Sequence, residues 1–396
     1  MSLSTLPLSY CTNVHPGLTV EEVVAGLERI TLPVQERLGR GIAAGLWLAA
    51  PVATQLRQAP AQLEKLRNFL RSRELPCYTL NAFPYGNFHS ERVKEQVYLP
   101  DWSDPRRLDY TLDCARILAA ILPDGVQGSI STMPLAFKEQ SVPADFREQC
   151  IQQLLTAAIA LDELHDETGR VIRLAIEPEP CCVLETTAET IQFFVELFQS
   201  AGQRGLEQIA RSHLGVCYDV CHQAVEFEDV TASIQQLQAA GIRINKVHIT
   251  CAIELKHPGE HPAGLAALAA FAEPRYLHQT FALLPEGPEL LQTDLTAALC
   301  HETPEKFLKA SAWRIHFHVP VHAPEIPQLG STRSELEQAL AAVAQLDYAP
   351  HLEVETYTWS VLPGAAATDL TAGLTDEMQS ALELIDRLRM NSNSTK

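Results

Sequence analysis

The chain is short of positive charge, of paired cysteines and of long apolar runs, and each shortage removes a class of protein. Thirty lysines and arginines face 49 aspartates and glutamates, a formal net charge of −19 over 396 residues. Such a surface repels phosphate backbones, so nucleic acid is excluded as a nonspecific partner. Ten cysteines stand at 11, 77, 114, 150, 181, 182, 217, 221, 251 and 300, without a CxxC pair among them. A zinc ribbon or a thioredoxin-like redox pair needs that spacing, and a disulfide framework belongs to small secreted chains, so the ten read as reduced core thiols. No run approaches the roughly 18 apolar residues of a membrane helix. The opening stretch MSLSTLPLSYCTNVHPG has no basic segment followed by a sustained apolar one; the expectation is a cytoplasmic protein without a transmembrane segment.

What is present is alternation. With 46% hydrophobic residues, short apolar or β-branched runs alternate with longer stretches of helical periodicity, the pattern of repeated βα units around a parallel sheet. Candidate strands are LPLSYCTN (6–13), IAAGLWLAA (42–50), CYTLNAF (77–83), GSISTMP (128–134), VIRLAIEP (171–178), HLGVCYD (213–219), INKVHIT (244–250), WRIHFHV (313–319) and HLEVETY (351–357). The architecture this predicts is a (β/α)8 TIM barrel. Nine candidates are one too many. The excess falls where residues 251–295 are too long for a simple crossover, so a single domain spanning 1–396 is expected to carry an insertion at about 251–313, with its own helix and a hairpin near LHQTFALLPEGPELLQTD. No Gly/Ser-rich linker divides the chain.

In such a barrel the chemistry lies at the C-terminal ends of the strands, and polar residues gather there. The first strand is followed by Asn13 and His15, the third by Asn81, Tyr85 and His89, and the fourth by Lys138. The fifth ends in Glu177 and Glu179, the sixth in Asp219 and His222, the seventh in His248, the next in His316 and His318, and the last in Glu353 and Glu355. Carboxylates buried at a strand end cost several kcal/mol each, to order of magnitude, unless paired or coordinated. Several at one mouth call for a cation, and oxygens with one or two imidazoles suit Mn2+ or Zn2+, with Mg2+ and Co2+ as alternatives. Plainer readings stand beside this one. Asp219 can cap the helix starting near Val220; His248 can be a satisfied core histidine; His316 and His318 can simply face a polar interior. Glu353 reads as deeper than Glu355, a hydrogen-bonded partner rather than a ligand. In CYDVCH, Cys217 and Cys221 read as packing.

These motifs resemble the xylose-isomerase-like barrels, which include sugar isomerases, ketose epimerases and endonuclease IV type enzymes. LAIEPEP is similar to the EPKP ending the fifth strand of xylose isomerases, YDVCH to the Asp-x-x-His of the epimerases, KVHIT to their seventh-strand histidine and LEVETY to their last strand. The resemblance implies metal ligation by Glu177, Asp219, His248 and Glu355. It further implies proton transfer by Glu177 and Glu355 through an enediolate, and substrate contacts from His222. His316, His318, Asn13, His15 and Glu179 are the further candidate substrate contacts. Two features depart from the pattern. Glu179 stands where xylose isomerases place a catalytic lysine, which argues against a lysine-assisted hydride shift. His318 competes with His248 for the seventh-strand position, and His248 ranks first.

LSYCTNVHPG, EPRYLHQ (273–279), WRIHFHVPVH (313–322) and HLEVETYTWSVLP (351–363) also resemble, across essentially the whole chain, the EboE family of metabolite traffic proteins encoded in bacterial ebo gene clusters. That resemblance implies a small-molecule partner, a sugar or a glycosylated or prenylated compound, that the protein makes or moves. Two accounts follow: a metal-dependent isomerase or epimerase, and a non-catalytic metabolite-binding protein that keeps the barrel and its metal site.

Overall fold

The structure, a computed structural model, describes residues 3–287, 289–323, 325–364 and 369–393. Eight short strands build the centre: β1 (Ser9–Cys11), β2 (Ala43–Trp47), β3 (Thr79–Asn81), β4 (Gly128–Thr132), β5 (Ile172–Ile176), β6 (Leu214–Asp219) and β7 (Ile244–Ile249), closed by β14 (His351–Val354). They pair in parallel in the order β1-β14-β7-β6-β5-β4-β3-β2 and form a closed barrel. Almost every residue in them is buried, which is why they read as continuous apolar runs instead of alternating ones. Helices such as Phe146–Thr168 and Thr187–Gln203 connect them, and Leu370–Asn393 follows the last strand. The fold is the expected (β/α)8 barrel.

The ninth candidate lies outside the ring. One residue after β7 ends, the chain enters β8 (Cys251–Lys256), then β9 (Thr280–Leu283), β10 (Leu290–Gln292), β11 (Ala312–Val319), β12 (Glu325–Ile326) and β13 (Leu329–Ser331). These form a six-stranded sheet in the order β10-β9-β11-β8-β13-β12, in which β11 runs antiparallel to both β8 and β9. The sheet therefore continues past residue 313. β11 is buried along its whole length, so its sequence looks like a barrel strand. Its ladder with β8 shifts between Ile315 and Val319, and His316 and His318 sit in that irregular stretch. All ten cysteines are free and buried, and no described helix is long and apolar enough to cross a membrane.

Register sets up the mouth of the barrel. Asp219 pairs with His248, His248 with Glu353, and Glu353 with Ser9, so four polar residues form one row across four adjacent strands. The opposite end is closed by packing. His351 is buried there, its Nδ1 2.8 Å from the Ser129 hydroxyl and its ring 4.7 Å from that of Tyr78. Burial, with Lys246 and Arg173 nearby, lowers its pKa from 6.5 to about 3.

Because the unfolded chain takes up this proton near pH 6.5 and the folded chain only near pH 3, stability is lost as pH falls through that window. By pH 5 the loss is on the order of 2 kcal/mol relative to pH 8. In urea unfolding at the two pH values, His351→Gln should reduce the wild-type difference by about that amount, while His15 and His318, whose pKa values burial also lowers, supply further loss of the same sign.

Candidate metal centre and its cavity

Each strand end delivers one side chain to a common point. Glu177 follows β5, Asp219 ends β6, His248 lies in β7 and Glu355 follows β14. The Nδ1 atom of His248 is 3.0 Å from Glu177 Oε1, 3.4 Å from Asp219 Oδ2 and 3.1 Å from Glu355 Oε2. All four donor atoms fall within 4.8 Å of one another, and the four residues are at most 5% exposed. Among the described residues, Glu177 Oε2 and Asp219 Oδ2 have no hydrogen-bond partner. Buried acceptors left bare are rare and costly. Three carboxylates and one imidazole, with two oxygens bare, fit a divalent cation.

The charges point the same way. Burial works against a charged His248, yet Cys217, Glu177 and Glu355 around it raise its pKa well above the ordinary value. Burial and repulsion from Glu177 and Asp219 push Glu355 up to about 8, with His248 offsetting part of the rise. The cage thus favours extra protons, which a divalent ion would displace.

Asp219 caps a helix with one oxygen and turns the other into the cage. Its Oδ1 accepts from the His222 backbone N–H at 3.2 Å, capping the short helix Val220–Val225, and from the Thr250 hydroxyl at 2.6 Å. Its Oδ2 is the atom that faces His248. Glu355 is aimed by two amides, Asn13 Nδ2 at 2.9 Å and Asn81 Nδ2 at 2.7 Å, both donating to Oε1. Behind the cage, Glu353 Oε1 is 2.6 Å from Lys246 Nζ and 3.3 Å from His248 Nε2. Oε2 of Glu353 accepts from Ser9 at 2.9 Å. Burial opposes ionisation of Glu353, but Lys246 and His248 outweigh it and hold the carboxyl down to about 2. Gly45 makes room for this group: a Cβ there would lie 1.5 Å from Glu353 Oε2.

A cavity of about 490 Å³, counted with its open mouth, reaches Glu177 and Glu355 and is lined also by Asn13, Asn81, Glu179, His222 and His316. Its outer walls are aromatic and aliphatic, including Phe83, Phe88, Tyr98, Tyr276 and Tyr357. Glu179 Oε1 accepts from the Tyr98 hydroxyl at 2.9 Å, and burial raises its pKa well above the ordinary value. His318 lies beside the cavity, its Nδ1 2.7 Å from the Glu355 carbonyl.

Some expected residues are elsewhere. His15 is buried against Tyr10, its Nε2 2.9 Å from that hydroxyl, and its ring lies over Gly26, where a Cβ would come within 2.9 Å of Nδ1. It does not line the cavity. Lys138 pairs with Glu185 and Glu189. His89 reaches the Asn13 carbonyl at 2.8 Å. Cys217 Sγ is 3.7 Å from His248 Nδ1, but burial, with Glu177 nearby, pushes the thiol up to about 12. The seventh barrel strand supplies His248; His318 belongs to the inserted sheet. Sequence reasoning missed Lys246, whose signal was a lysine two positions before His248, hence on the same face of the same buried strand. It also missed the walls Tyr98 and Tyr276, which lie in stretches without periodicity.

No family model matches the chain, and no curated protein matches it in sequence. Among solved structures it is similar to an L-ribulose 3-epimerase, at 12% identity and a TM-score of 0.52 over 100% of this chain and 98% of that one. A D-tagatose 3-epimerase-like protein (11% identity, TM-score 0.49, 96% and 99% covered) is also similar. So is a xylose isomerase-like TIM barrel protein from Mycobacterium smegmatis in complex with magnesium (12%, 0.49, 98% and 99%). Likeness to the first is likeness of fold alone, a closed (β/α)8 barrel. The comparisons lend no support to the narrower EboE resemblance.

Breaking the pair behind the cage leaves a buried carboxylate without its counter-ion. Lys246→Met is expected to destabilise the protein by roughly 3–5 kcal/mol in urea melts, and combining it with Glu353→Leu should recover most of that loss.

Proposed function

We propose that the chain is a metal-dependent isomerase or epimerase that moves a proton at a carbon beside a carbonyl in a small, sugar-like hydroxy-carbonyl compound. One observation carries this reading: Glu177 and Glu355 reach the same imidazole nitrogen, at 3.0 and 3.1 Å, and both line the same cavity. Glu177, Asp219, His248 and Glu355 hold the ion, Mn2+ or Zn2+ by donor type, with Mg2+ and Co2+ as alternatives. The bound ion supplies positive charge that acidifies the C–H beside the carbonyl and stabilises the resulting oxyanion.

The rest falls to the chain. Glu177 Oε2, free of hydrogen bonds, accepts the proton from carbon, and Glu355, fixed by Asn13 and Asn81, delivers one to the product. His222 and Asn13 orient substrate oxygens, and Tyr98, Tyr276 and Tyr357 exclude water. Glu179, a carboxyl held by Tyr98, offers no ammonium for a lysine-assisted hydride shift, which favours proton transfer. A role in making or moving a metabolite, as the EboE resemblance implies, is compatible with this site.

The second reading is a metabolite-binding protein without turnover, and the apolar outer walls favour it: Phe83, Phe88, Val93, Val97 and Leu277 offer little to a bare sugar. Incubation with Mn2+ and L-ribulose or D-tagatose in D2O separates the two. The first reading expects deuterium in the substrate and its loss in Glu177→Gln; exchange that survives that substitution contradicts the mechanism. Saturable binding without exchange across a panel of ketoses would establish the second reading instead.

A further inference from the structure

The cavity changes character from its floor to its mouth. The inner end is polar, with Asn13 and Asn81 beside Glu177 and Glu355. Further out the wall is a sleeve built from two segments, residues 83–98 after β3 and residues 276–277 of the inserted unit, together with Tyr357. Three of its rings lock together: the Phe88 centroid lies 4.9 Å from that of Tyr276 and 5.2 Å from that of Tyr357, and Tyr276 and Tyr357 are 5.0 Å apart. Among the described residues that line the cavity, only Val97 and Leu277 are not fully buried. Two aliphatic side chains therefore mark the mouth.

The polar atoms of the sleeve are already committed within the protein. The Tyr98 hydroxyl donates to Glu179 Oε1 at 2.9 Å and accepts from Gln279 Nε2 at 3.1 Å, and the Tyr276 hydroxyl donates to the Phe88 carbonyl at 3.1 Å. Lys94 also lines the cavity. All three hydrogens of its ammonium are taken, by the carbonyls of Glu273 at 3.0 Å and Tyr276 at 2.6 Å and by Asp294 Oδ2 at 2.7 Å. The backbone N–H groups of Val93 and Lys94 both donate to the Arg275 carbonyl, at 2.8 Å each. What this wall presents to a ligand is mainly ring faces and aliphatic carbon. A sugar hydroxyl stripped of water against such a surface weakens binding by roughly tenfold, whereas a hydrocarbon group in the same place strengthens it.

We propose that the substrate is a hydroxy-carbonyl compound bearing a hydrocarbon substituent, which fills the sleeve while the oxygen-bearing head reaches the cage; this rests on the reading of the cage as an ion site for hydroxy-carbonyl chemistry. The polarity sets the direction of entry. The head goes in first, and the apolar end stays between Val97 and Leu277. The inserted unit thus has a task at the barrel mouth: its Tyr276 and Leu277, tied to the loop after β3 through Lys94, select the substituent.

Two ketones with the same head test this: hydroxyacetone, and 1-hydroxy-4-phenylbutan-2-one, which is hydroxyacetone with a benzyl group on its methyl carbon. In ligand-detected NMR titrations of zinc-loaded protein the phenyl compound should bind roughly 10- to 100-fold tighter. Val97→Asn/Leu277→Asn, at the two partly exposed positions, should reduce that ratio several-fold, with thermal melts as the control for folding. Where the double variant fails to fold, Leu277→Asn alone is tested in the same way. Equal affinities in the wild type, a ratio that the rim substitutions leave intact, or binding of neither compound overturns the proposal. Deuterium uptake from D2O, read in the same samples, separates the two readings. Uptake into both ketones at equal affinity removes the hydrocarbon substituent and leaves the isomerase reading standing, whereas a tighter phenyl compound without uptake supports the sleeve and removes the isomerase reading.

Discussion

Three carboxylates crowd one imidazole nitrogen at distances of 3.0 to 3.4 Å inside a closed barrel, and the rest of the mouth is arranged around that concentration of negative charge. Away from water, like charges this close repel by several kcal/mol, to order of magnitude, unless positive charge is supplied. The chain supplies part of it through Lys246, which neutralises Glu353 one layer down. Glu353 and Lys246 therefore form the floor of the cage, and the unmet demand lies above, where Glu177 Oε2 and Asp219 Oδ2 stay bare.

The scaffold tolerates this because the ring of strands fixes the register. Asp219, His248, Glu353 and Ser9 fall in one row by strand pairing alone, before any side-chain preference acts. Gly45 contributes by having no side chain, since a methyl group would occupy the place of the Glu353 carboxylate. Asn13 and Asn81 then set the direction of Glu355. A site assembled from strand ends is held as rigidly as the barrel itself, as the proposed proton transfer between fixed carboxylates requires.

The four cage residues were singled out in the sequence because each sits at or near the C-terminal end of a candidate strand, where the polar residues of a barrel gather. What failed to show had physical causes. Strand β11 is buried on both faces, so its apolar run matches a barrel strand, and only its antiparallel pairing with β8 and β9 distinguishes it. His15 follows β1 just as Asn13 does, but the intervening 3-10 turn Thr12–Val14 sends Asn13 towards Glu355 and His15 towards Tyr10. Two residues of sequence cannot register that rotation. The aromatic walls come from segments with no period to read, brought together by long-range contacts such as Lys94 Nζ on the Tyr276 carbonyl at 2.6 Å.

The central claim is that the cage exists to hold an ion. Anomalous diffraction at the manganese edge from crystals grown with Mn2+ tests it most directly. The account predicts a peak within about 2.0–2.3 Å of donor atoms from Glu177, Asp219, His248 and Glu355 together. The same crystals showing no peak there, with the carboxylates drawn apart to water or to neighbouring side chains, would contradict it.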